Sequence, residues 1–127
     1  MLESLSITRM AEALADHAAS RLDLIARNVA QADTPGYKAM DLPDFAKVYE
    51  DSTDHGMRAT RPGHFNTPET AFQPVVQPSK GEASPNGNTV SVEQEMVKSA
   101  EVRQDHDMAL AVYRSAQDIL RISLGRK

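Results

Sequence analysis

Four histidines, His17, His55, His64 and His106, are the side chains best suited to proton transfer or metal binding in this 127-residue sequence. Their spacing fits no zinc pattern, and no cysteine is present to complete one. Asp105-His106-Asp107 is a dense polar step. Consecutive helical residues diverge, so these three do not converge on one substrate. His64 and nearby acids could in principle serve a small hydrolase, but no G-x-S-x-G elbow, Walker loop or G-x-G-x-x-G accompanies them. The six methionines read as adaptable packing rather than a cofactor box. The sequence therefore predicts no catalytic residue, no metal site, no cofactor and no small-molecule substrate.

Composition points the same way. The absence of cysteine excludes disulfides, thiol nucleophiles and iron–sulfur clusters. A net charge of -4 gives no footprint for nucleic acid. No stretch approaches the ~18 apolar residues that a transmembrane helix needs. Met1-Leu2-Glu3-Ser4 offers neither a basic n-region nor an apolar h-region, so a cleaved signal peptide is not expected. Leu, Ile, Val and Phe together number 25 of 127, which leaves a lone chain a thin core.

The elements follow from where the chain is broken. All seven prolines lie between Pro35 and Pro85, and five of the six glycines between Gly36 and Gly87. Two unbroken ends thus flank a heavily punctuated middle. The fold expected is mainly α: two long terminal helices packing as a coiled-coil-like pair, joined by an irregular Pro/Gly-rich middle with short extended segments. The division is residues 1–34, 35–87 and 88–127.

In the first segment Ile7, Ala11, Leu14, Ala18, Leu22, Ile25 and Val29 share one helical face. Thr34 precedes Pro35 and is pushed out of the α region, which stops the helix near Ala32. Pro35-Gly36 fits the centre of a type II turn, with Tyr37 placed to fold back on the helix end. In the middle, Asp44–Glu50 suits a short helical turn, Thr60, Phe65 and Phe72–Val76 suit extended pieces, and Pro78–Asn88 reads as a flexible loop. Ser91-Val92-Glu93-Gln94 is a capping box that opens the last helix. Met96, Ser99, Arg103, His106, Leu110, Tyr113, Gln117, Leu120 and Leu124 then form one row, beside a second row of Ala109, Val112, Ala116, Ile119 and Ser123. Such a long surface favours packing between subunits. Its candidate residues are Leu14, Leu22, Ile25, Val29, Met96, Leu110, Tyr113, Leu120 and Leu124.

Asn28-Val29-Ala30-Gln31-Ala32-Asp33-Thr34-Pro35-Gly36-Tyr37-Lys38 resembles the N-terminal signature of bacterial flagellar rod and hook proteins, N-[IVL]-A-N-x-x-T-P-G-Y. Its turn residues map onto Asn28, Ala30, Thr34, Pro35, Gly36 and Tyr37. Gln31 stands where that family usually has a second Asn, which weakens one local hydrogen-bonding position. The continuation Lys38-Ala39-Met40-Asp41-Leu42-Pro43-Asp44-Phe45, Thr60 with His64-Phe65, and Gly87–Met96 narrow the resemblance to the short proximal-rod members.

The resemblance implies a structural subunit of the basal-body rod, exported without a cleaved signal peptide into the periplasmic part of the flagellum. The implied partners are copies of itself, other flagellar rod proteins, the adaptor FliE, the inner-membrane ring protein FliF and the flagellar export apparatus. The terminal segments are expected to be poorly ordered in the free monomer and to fold on assembly. Another rod subunit, or a helical-hairpin adaptor forming small oligomers, are the alternatives.

Overall fold

The computed structural model describes residues 2–53 and 74–125. His55, Thr60, His64, Phe65 and Phe72 lie outside them. Among the described residues, three helices and one short strand pair follow in the order α1 (Leu2–Ala30), β1 (Met40–Asp41), α2 (Phe45–Thr53), β2 (Gln77–Pro78) and α3 (Val92–Ser123). The two long helices pack on each other as expected. The C-terminal end of α1 meets the start of α3, through Asn28 and Glu95, so the pair is antiparallel.

The local signals behave as their chemistry dictates. Beyond Ala30 the chain leaves the helix, and Tyr37 N–H donates to Thr34 O at 3.3 Å across Pro35-Gly36. Gly36 has φ +74°, a left-handed conformation that costs residues with a Cβ about 1–2 kcal/mol. Ser91 caps α3 from an extended backbone, its hydroxyl accepting from Gln94 N–H at 3.5 Å. Asp23 and Arg27 pair at 2.8 Å on the solvent side of α1. The short helical turn expected over Asp44–Glu50 starts one residue later and runs longer: α2 begins at Phe45 and reaches Thr53.

The α1 seam follows the expected row except at its two ends, and the α3 seam takes Ala109 and Ala116 from the second expected row. On α1 the buried apolar positions are Ala11, Ala18 and Ile25, while Ile7 and Val29 are exposed. On α3 they are Val102, Ala109 and Ala116, with Glu95 continuing the same spacing. In the first expected row Met96, Arg103 and Gln117 face solvent, while Leu110, Tyr113 and Leu120 are half-buried. The reason is chemical. Glu95 bonds Asn28, so the α3 seam runs from Glu95, one residue before Met96. The small alanines then allow close approach behind it. Ala18, Ile25 and Val102 form the apolar centre, with Leu22 packed against them.

β1 and β2 pair antiparallel, Met40 opposite Pro78 and Asp41 opposite Gln77. Two residues per strand carry little stability of their own. Their effect is to hold the start of the middle segment across the end of α1.

Candidate functional site

The largest concentration of buried polar groups lies where α1 ends and α3 begins. Asn28 is fully buried. Its Nδ2 donates to Met40 O at 2.8 Å and to Glu95 Oε2 at 2.9 Å. Its Oδ1 accepts from Met40 N–H at 3.0 Å and from the Tyr37 hydroxyl at 3.3 Å. Every hydrogen-bonding valence of the amide is used, which removes the penalty of burying it. Tyr37 thus folds back on the helix end as its position suggested.

Asn88 does the same for the helix terminus. It is 2% exposed, and its Nδ2 group is shared by the carbonyls of Gln31, Ala32 and Thr34 at 2.8–2.9 Å. Chain leaving a helix exposes carbonyls without partners; here a side chain 54–57 residues away supplies them. The Asn88 Oδ1 accepts from Val90 N–H at 2.7 Å. Around it, Gly36 N–H donates to Asn86 O, Thr89 N–H to Tyr37 O, and Ala39 N–H to the Thr89 hydroxyl. Gly87 has φ +81°, and a Cβ there would meet Gly36 Cα at 3.4 Å. The segment Pro78–Asn88, expected to be a flexible loop, is therefore stitched to the turn after α1 at both ends. Ser79 N–H donates to Ala39 O at 2.7 Å and Ser84 N–H to Asn88 O at 2.8 Å.

A charged layer lies beside the two asparagines. Arg21 forks onto Asp41 with Nε–Oδ1 at 2.8 Å and Nη2–Oδ2 at 3.2 Å. Lys98 reaches Asp41 at 3.3 Å, Glu95 at 2.9 Å and the Ser79 hydroxyl at 3.2 Å. Burial alone would push the Asp41 carboxyl up. Hydrogen bonding and charge from Arg21, the Leu42 N–H and the Lys98 charge outweigh it and hold the carboxyl below its ordinary range. Burial likewise disfavours the Lys98 ammonium, but Glu95 and Asp41 raise its affinity for the proton. Hydrogen bonding to Asp41 is the main reason the Arg21 guanidinium binds its proton more tightly than usual. Two cations and two carboxylates balance, and no buried side-chain polar atom among the described residues is without a hydrogen bond. On the next layer His17 contacts Pro43 O at 2.9 Å and meets the Phe45 ring edge-on, with Tyr49 stacked beyond.

This constellation suits holding, not chemistry. The carboxylates are neutralised by cations. Among the described residues no group of three or more His, Asp or Glu could hold a metal ion. His106 sits halfway along α3 beside Asp107 at 3.9 Å, far along the helix from the asparagines.

No family model matches the sequence. Over 105 residues the chain is 32% identical to the flagellar basal body rod protein FlgB of Escherichia coli (strain K12), covering 73% of this chain and 74% of that protein. The chain belongs to the FlgB family of flagellar basal body rod proteins. FlgB of Agrobacterium fabrum is 24% identical over 130 residues, 98% of this chain and 97% of its own length. FlgB of Aeromonas hydrophila is 34% identical over 83 residues, 59% of each. This FlgB-family chain is accordingly a structural subunit of the flagellar basal-body rod.

Residues singled out from the sequence separate into two groups. Those of the turn motif gather at the asparagine cluster: Asn28 is buried in it, Tyr37 bonds to it, and Thr34 offers its carbonyl to Asn88. Ala30, Pro35 and Gly36 are exposed around its rim. Gln31 keeps a hydrogen bond at the variant position, its Oε1 accepting from the Thr34 hydroxyl at 2.6 Å. The packing candidates scatter. Ile25 belongs to the chain's own core. Leu14, Leu22, Leu110, Tyr113 and Leu120 are half-buried, and Val29, Met96 and Leu124 are exposed. Sequence reasoning missed Asn88, Glu95, Lys98 and Arg21. For Asn88 and Glu95 the available signal was their place in the Gly87–Met96 segment that carries the family resemblance.

Proposed function

We propose that the chain assembles with copies of itself and with other flagellar rod proteins into the proximal part of the rod, and that its role is purely structural. In this reading it is exported by the flagellar export apparatus without a cleaved signal peptide, takes its place in the periplasmic rod, and neighbours the adaptor FliE and the ring protein FliF. The rod carries torque, so each subunit needs contacts staggered along the axis.

The observation that supports this reading is the outward row of α3. Met108, Val112, Ile119 and Ile122 are spaced 4, 7 and 3 residues apart, which puts them on one face. All four are exposed, Ile119 at 60% and Ile122 at 75%, although the seam beside them is closed. Burying a side chain of this size contributes about 1.5–3 kcal/mol before ordering costs. Nothing in the chain's own described fold covers the row, so a neighbouring subunit is its natural cover.

The test is to replace Ile119 and Ile122 together by Asp in the native bacterium. Electron microscopy of basal bodies should show the rod missing, while cell fractionation still finds the protein exported. Normal rods and motility in that strain would contradict the proposal. Retention in the cytosol would instead assign the row to export recognition.

A further inference from the structure

The seam between α1 and α3 is repetitive. Ala11, Ala18 and Ile25 are buried at seven-residue intervals, and so are Glu95, Val102, Ala109 and Ala116. A seven-residue repeat presents the same face every two turns. Ala109 and Ala116 on α3 follow this repeat, so sliding one helix by one repeat, about 10 Å at 1.5 Å per residue, sets a small residue against another large apolar side chain of α1: Ala116 on Leu14, or Ala109 on Ile7. Packing at that end discriminates poorly between registers.

The polar cluster does not repeat. From Asn28 opposite Glu95, each step back along α1 matches one step forward along α3. That count places Val102 opposite Arg21 and Leu22, in agreement with its packing on Ala18, Leu22 and Ile25. It also places Ala109 opposite Leu14 and Ala116 opposite Ile7 and Thr8. One repeat in one direction sets Asn28 against Val102 and leaves the amide without Glu95. One repeat in the other carries Asn28 past the first turn of α3. Either slip also pulls Asn88 from the carbonyls of Gln31, Ala32 and Thr34. Buried polar groups left unpaired are expensive, whereas the alanines are indifferent.

We propose that Asn28–Glu95 and the Asn88 clamp form a register lock. They select one of several closely spaced registers of a repetitive alanine seam. They thereby fix where the outward row of α3 lies relative to Ile7 and Met10 on α1.

The sequence contains no cysteine, so engineered pairs report register without interference. Leu14→Cys with Ala109→Cys reads the observed register; Ile7→Cys with Ala109→Cys and Leu14→Cys with Ala116→Cys read one repeat to either side. Each pair is placed in the full chain, oxidised mildly and mapped by mass spectrometry. In the parent background only the first pair should cross-link efficiently. In a background carrying Asn88→Ala and Glu95→Leu, helical circular dichroism should persist while the preference for the first pair falls by about tenfold or more. Glu95→Gln alone keeps an acceptor for Asn28 and should keep the parent's preference. An unchanged preference in the doubly substituted background would overturn the lock. So would loss of its helical signal, because the cluster would then hold the fold together rather than choose its register. A Glu95→Gln chain that slips as freely as the double variant would overturn it as well.

Discussion

The two ends of the helix pair are built on opposite rules. Where α1 finishes and α3 starts, a polar cluster is buried beside Ile25, Ala39 and Leu42: Asn28, Asn88 and Glu95, with Arg21, Asp41 and Lys98 mostly covered next to it. At the other end the seam is closed by Ala11, Ala109 and Ala116 with Leu14, Leu110 and Leu120 half-buried, while Met108, Val112, Ile119 and Ile122 face out. Polar groups bond in one geometry, so the first end is specific and complete within one chain. Alanines bury little area and leave Met108, Val112, Ile119 and Ile122 exposed, and the proposed assembly would cover them with a neighbour. In that proposal one end sets the subunit's shape and the other joins it to the rod.

The contrast can be broken most sharply at Asn28. Asn28→Ala strands the Met40 N–H and C=O and removes one of the partners of Glu95, and it is expected to cost about 3 kcal/mol in urea unfolding. Acid should act on the same end. The Asp41 carboxyl is held below its ordinary value of 3.8, so the folded chain sheds that proton more readily than the unfolded one. Its contribution is complete above the unfolded range and is lost as pH falls through 3.8 towards the folded value. Thermal unfolding followed from neutral pH into this range should show a midpoint that drops less steeply in Asp41→Asn than in the parent. Next comes Gly36→Val, which forces a β-branched residue to φ +74° and should cost about 1–2 kcal/mol, with rods reduced in the cell. At the open end the effect on the lone chain should nearly vanish. Ile122→Ser, at a site 75% exposed, is expected to shift monomer stability by no more than about 0.5 kcal/mol while weakening assembly.

The sequence showed the parts whose causes are local. Thr34-Pro35-Gly36-Tyr37 stops α1 and makes the turn because proline and glycine act on their own neighbours. Ser91 starts α3 for the same kind of reason, and the uneven placing of Pro and Gly marks both long helices. The specific end was hidden because its causes are distant. Asn88 caps carbonyls more than fifty residues earlier, and nothing in Pro78–Asn88 distinguishes a clamped loop from a loose one. Glu95 was passed over for Met96 because an apolar stripe was sought where a carboxylate bonds Asn28. The turn motif was legible as a family signature, but its physical work, feeding Asn28 and the carbonyls around it, required the second strand of contacts.

Hydrogen exchange on the isolated full chain tests the division of labour most directly. The amides of Glu95–Val102, which rest on the asparagine cluster, should exchange about a hundredfold more slowly than those of Val112–Ile119, and the second group should slow once the chain is assembled into rods. Equal protection along the whole of α3 in the free chain, unchanged by assembly, would contradict the account.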